Sequence, residues 1–168
     1  MKRISAKLFA FLLVLFAAFC LGCAAQNAPA KPSDDGETNE DKTYEGDEIL
    51  DTFYVKFNGH SLEADFSDNA SARAFYDLLL QGDVTVEAHD YGNFEKVGDL
   101  PRSLVRSDER ITTSAGDVIL YLGSEITVYY DVNTWTFTRL GKIKNVTSAS
   151  LKSMLGPDNV TITFSLEE

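Results

Sequence analysis

Tyr91, Phe94 and Glu95 stand close together, and Trp135, Phe137 and Arg139 alternate further on. These are the side chains best suited to hold a ligand. A carboxylate between two aromatic rings is the usual build of a small pocket, with apolar walls and one polar anchor. The competing reading makes Glu95 a clamp that accepts backbone amides in a surface loop, with the two rings packed on its rim. In an extended strand Trp135, Phe137 and Arg139 share one face, because successive side chains point to opposite sides. Open to a cleft, Arg139 would offer a planar array of donors to a carboxylate or a peptide carbonyl. Otherwise it pairs with an acid such as Glu95, and Trp135 belongs to the core. Covalent and metal chemistry find little support. No serine sits in a Gly-x-Ser-x-Gly elbow and no glycine-rich phosphate loop is present. His60 and His89 have no third ligand spaced near them. No catalytic residue, metal or cofactor is therefore expected.

The two cysteines, Cys20 and Cys23, lie at the edge of an apolar run from Leu8 to Leu21 that follows Lys2, Arg3 and Lys7. A basic start and a short apolar stretch are the marks of an export signal, and the run is too short to cross a bilayer comfortably, which takes about 20 residues. Its end, Cys20-Leu21-Gly22-Cys23-Ala24, resembles the lipobox of bacterial lipoproteins, with Cys20 where Leu is usual. The resemblance implies that Cys23 is lipidated and becomes the first residue of the mature chain. The other reading is an ordinary signal peptide cleaved near Ala24-Ala25. Either way the folded part holds no thiol.

From Ala24 to Glu48 the chain carries eight acids against Lys31 and Lys42, with Pro29, Pro32 and Gly36 and little apolar content. Such a segment buries too little apolar surface to offset its chain entropy, so a disordered tether is expected. From Ile49 on there are eighteen acids and ten bases. That balance argues against nucleic acid as a partner and against direct contact with anionic lipid. The expected organisation is a signal peptide over 1–22, a lipidated Cys23 with an acidic tether over 23–48, and one domain over 49–168, a monomer.

The elements that would position the candidate residues are mostly strands. Phe53, Val55 and Phe57 alternate with polar neighbours, as do Leu62, Ala64 and Phe66, and Asn58-Gly59 between them is a hairpin signal. Asp68 or Asn69 caps a helix with an apolar face at Ala70, Ala74, Phe75, Leu78 and Leu79, ended by Gly82. Val84 to Ala88 is a strand, and His89 to Pro101 is expected as a long surface loop. Short strands follow at Ile111–Thr113, Val118–Leu122, Glu125–Tyr130 and Trp135–Leu140, the last broken by Gly141. Ala115-Gly116-Asp117 makes a turn, with Asp117 bonding the backbone. A second helix over Ser148–Leu155 precedes a closing strand at Val160–Phe164. The sum is mainly β: a small barrel or sandwich of about eight strands with two short helices.

Four ordered segments carry a family resemblance: Asp90-Tyr91-Gly92-Asn93-Phe94-Glu95-Lys96, Leu100-Pro101, Ala115 to Tyr121, and Thr138 to Ile143. Together with Leu62 to Asp65 and Ser71-Ala72 they resemble the bacterial cyclophilin-like domain family. The resemblance implies a closed eight-stranded barrel with two helices, similar to that of peptidyl-prolyl isomerases. It transfers no isomerase residues, because the Phe, His and Arg segment that builds the proline pocket of true cyclophilins has no counterpart here. The expected function is a lipid-anchored, extracytoplasmic module that holds a peptide or small ligand near Tyr91, Phe94, Glu95, Trp135 and Arg139. The alternative is a peptidyl-prolyl cis-trans isomerase acting on exported proteins.

Overall fold

Asn58 and Gly59 both take positive φ, 47° and 77°, which is what a two-residue hairpin turn asks of its central residues. They join β1 (Thr52–Phe57) to β2 (His60–Phe66) in antiparallel register, Phe57 opposite His60. This hairpin opens a computed structural model that describes residues 51–168. The expected signal peptide, the lipidation expected at Cys23 and the expected tether all fall outside the described residues.

Helix α1 (Ala70–Leu79) starts where Asn69 accepts hydrogen bonds from the amides of Ser71 and Ala72, and it buries Phe75, Leu78 and Leu79. Then come β3 (Val84–Tyr91), β4 (Glu95–Asp99), β5 (Glu109–Thr112), β6 (Asp117–Tyr121), β7 (Glu125–Tyr129) and β8 (Thr134–Ile143). Helix α2 (Ser148–Leu155) is capped reciprocally by Thr147 and Ser150, and β9 (Val160–Ser165) ends the sheet. Strand order is β2-β1-β9-β3-β4-β7-β6-β8-β5, and β2 also pairs with β8. That last pairing closes eight strands into an antiparallel barrel, with β5 outside it on β8. The mainly β barrel with two helices expected from the sequence is the fold observed.

The helices stop the two ends of the barrel. On α1, Phe75 meets Phe53 and Phe164 edge-on, both at 5.7 Å between ring centroids. On α2, Leu151 and Leu155 enter the core while Asn58 at the β1–β2 turn donates to the carbonyl of Met154 at 3.0 Å. An inner aromatic side chain of this kind is worth roughly 1.5–3 kcal/mol in burial, so the three packed phenylalanines anchor α1 to the barrel.

Two expectations are corrected. His89–Pro101 is not a loop: β3 runs on to Tyr91, Gly92 and Asn93 turn at positive φ, and β4 returns from Glu95 to Asp99. Gly141 does not break β8, which continues to Ile143. A Cβ at Gly141 would stand 2.4 Å from the carbonyl oxygen of Asp65 and 2.6 Å from the Phe53 ring. Glycine is there so that β8 can approach β2 and close the barrel.

Candidate functional site

Strands β3, β4, β7 and β6 present one face to the core and the other outward. Val86, Ile126, Val128, Val118 and Leu120 point into the core. By alternation Glu95 and Val97 on β4, Thr127 and Tyr129 on β7, and Ile119 and Tyr121 on β6 share the outer face. There a second apolar cluster forms around Ile119, Tyr129 and Phe137. The first half of β8 leaves β6 at Thr138 and pairs with β5 instead, Trp135 opposite Ile111. It carries Trp135 and Phe137 to one side of this face. Between the sheet and that arm lies a groove of about 510 Å³, within the usual range for small-ligand sites.

Glu95 sits on the groove floor, only 7% exposed and directly across from Tyr129. Its Oε2 closes no hydrogen bond, and neither does the buried hydroxyl of Thr127 beside it. Burial raises the proton affinity of Glu95 above the ordinary carboxylate value. The charges of Glu125 and Asp90 add to that rise, while the facing hydroxyls of Tyr129 and Thr127 oppose it without outweighing it. Burial, then the neighbouring Glu95, keeps the Tyr129 phenol neutral far above its usual range. The amide of Asn133 donates to that phenol at 3.4 Å. Asp99 and Glu125 stand opposite each other toward the groove's edge. Among the described residues no three His, Cys, Asp or Glu side chains are grouped to hold a metal ion.

Of the residues singled out in the sequence, Tyr91, Glu95 and Trp135 line the groove. Phe94 lies behind them, stacked on Tyr129 at 5.9 Å and 9° and edge-on to Tyr91 at 5.9 Å. Arg139 is not among the lining residues. Its Nε is 3.2 Å from Asp117, so it pairs with an acid other than Glu95. Asp117, 1% exposed, also holds Lys142 at 3.1 Å and accepts the Ser114 amide at 2.7 Å, as its turn role requires. Nor does Glu95 clamp backbone amides. Much of the remaining lining, His89, Thr127, Tyr129 and Asn133 among it, could not be assigned to a site from the sequence. The alternation of Glu125, Thr127 and Tyr129 was a signal for one shared face, but nothing in it says which face is open.

On the inner side of the same strand, Lys96 is fully buried. Its ammonium donates to the carbonyl of Asp158 at 2.8 Å and lies 3.4 Å from Asp90, which also accepts the Tyr130 hydroxyl. Burial alone would raise the Asp90 carboxyl, but those hydrogen bonds and the Lys96 charge hold it below its ordinary value.

No curated protein matches the chain. The cyclophilin-like family, by contrast, matches residues 55–165, from the middle of β1 to the last residue of β9. That span takes in every strand of the closed barrel and both helices, and with more than half the sequence covered, the chain belongs to the cyclophilin-like family.

Proposed function

We propose that this protein is a lipid-anchored, extracytoplasmic binding module whose outer groove holds a peptide or small ligand. The observation that carries this reading is the groove itself: aromatic walls around a buried carboxylate with an oxygen left unpaired. A buried carboxyl with an unpaired oxygen is costly, by about 1–3 kcal/mol, and a ligand donor to that carboxyl from the groove would offset part of the cost. Tyr91 and Trp135 are 59% and 56% exposed, large rings that an incoming ligand could cover. The anchor rests on Cys23 and the apolar run before it. The isomerase alternative needs a guanidinium at a proline pocket, and Arg139, on the aromatic-bearing strand β8, is committed to Asp117 outside the groove.

Trp135 is the only tryptophan of the chain, so its emission reports on the groove without a label. Titrating the detergent-solubilised full-length protein with panels of blocked tripeptides and polar small molecules should give a saturable change in that emission for some members. A panel that leaves Trp135 unmoved throughout would overturn the binding reading.

A further inference from the structure

We propose that the groove is built for a cationic amine, its ammonium head seated against Glu95 and its stem between the aromatic rings. The inference deepens the binding-module reading and rests on it. The carboxyl side chains of the lining are Glu95, Asp99 and Glu125, beside the imidazole of His89, and among the described residues no lysine or arginine joins them. The cations that could have neutralised Glu95 are held elsewhere. Lys96, its neighbour in sequence, points through the sheet to Asp158 and Asp90, and Arg139 on the outer face is held by Asp117. Glu95 is thus more than nine-tenths buried, with Oε2 enclosed and unpaired, and as a lining residue it turns the little of its surface that stays exposed to the groove.

Each class of ligand meets this arrangement differently. An anion would approach three carboxylates in a partly dehydrated cleft, where like charges repel strongly. An uncharged apolar group would cover Glu95 and leave its oxygen unsatisfied. An ammonium supplies both a charge and a donor to the carboxylate, the stronger kind of hydrogen bond. It also finds exposed rings suited to a cation, Tyr91 and Trp135 with the half-buried Tyr121, over a floor in which Tyr129 and Phe137 are buried. Aromatic rings plus a buried carboxylate are the elements by which proteins recognise alkylammonium groups.

The chemistry could arrive as a lysine side chain of a peptide or as a free alkylamine, and three probes separate the cases. The full-length protein is titrated with the blocked tripeptide Gly-Lys-Gly, with its norleucine counterpart, and with n-pentylamine, following Trp135 emission. The lysine peptide should bind about tenfold or more tighter than the norleucine peptide, the scale of one desolvated charge contact. In Glu95→Gln that preference should shrink toward unity. Equal affinity of pentylamine and the lysine peptide identifies a small amine as the ligand class, and a much weaker amine identifies a peptide; both support the proposal. If lysine and norleucine peptides bind alike, the cation proposal is overturned and the binding module stands. If no probe moves Trp135 at millimolar concentration, both fall. Should Glu95→Gln not fold, the comparison of two peptides on the unaltered protein still decides.

Discussion

At the residue scale the sequence shows which side chains could act but not which of them meet. Tyr91, Glu95 and Trp135 come together because β4 lies in the sheet beside β3 and the β8 arm reaches back along its outer face. Arg139 has the same alternation as Trp135, yet Asp117 takes it, because the turn at Gly116 delivers a buried acid to its side. That pairing is invisible in the sequence, where Asp117 and Glu95 are equally acidic. Two outcomes follow from the contrast. Arg139 is about one-third exposed, so its ion pair is partly screened, and Lys142 still faces Asp117 when it is removed. Arg139→Ala should therefore cost roughly 1–2 kcal/mol of stability in urea unfolding and leave groove binding unchanged; lost binding with intact stability would return Arg139 to the site. Glu95 has the opposite character. Its proton affinity in the fold lies above the ordinary 4.5, so the native state holds the proton after the unfolded chain has released it. Stability contributed by this group is accordingly lost as pH rises from about 4.5 through the raised value. Asp90, Glu125 and Tyr129 face it, with His89 and Asp99 further along the groove, and they are common to variant and parent. Glu95→Gln should melt higher than the parent at pH 7, with the gap closing toward pH 4.5. A lower melting temperature at pH 7 would mean that the Glu95 carboxylate has a partner in the fold.

Among the elements, those whose alternation or capping is written in plain residues are legible: β1, β2, both helices and β9 lie where the sequence places them. Strand β4 is not. Its residues Glu95, Lys96, Val97 and Gly98 are all buried, because one face floors the groove and the other enters the barrel. A strand buried on both faces normally announces itself by continuous apolar residues, and here a glutamate and a lysine stand in their place. The turn before it has Gly92 and Asn93, which resemble loop residues as much as a hairpin tip. Strand β8 misleads for the opposite reason. Glycine weakens a strand when only propensity counts, but at the β2–β8 seam the lack of a side chain is what lets the strands meet, with Phe66 opposite Gly141 and Ala64 opposite Ile143. Gly141→Ala places a methyl against backbone and a core phenylalanine, neither of which can yield cheaply. The expected loss is about 1–3 kcal/mol, typical of overpacking, with faster amide exchange in β2 and the second half of β8 than in β3 and β9. Uniform loss of protection across all strands would show that the seam is not a separately opening part of the barrel.

For the molecule as a whole, fold and family are established while place and partner are proposals, and the reason is physical. A closed barrel is specified by dozens of buried apolar contacts, whereas a groove depends on a few side chains and an anchor on one. The net charge of −11 disfavours direct binding to anionic surfaces, so the proposed attachment to a membrane rests on covalent lipid. Cys23 is the residue placed for it, after Gly22 at the end of the apolar run. A single acyl chain holds only marginally, with an association constant of about 10⁴ M⁻¹, so stable attachment calls for two or more chains. In cells fed an alkyne-bearing palmitate analogue, the parent protein should take up label and stay with the membrane fraction through a carbonate wash. Cys23→Ser should take up none, since a hydroxyl does not replace the thiol in thioether formation. Because the groove is built entirely from residues between His89 and Phe137, the variant should keep the Trp135 response to ligand. Label in Cys23→Ser, or its absence from the parent, would overturn the lipid anchor and leave the reading of the groove untouched.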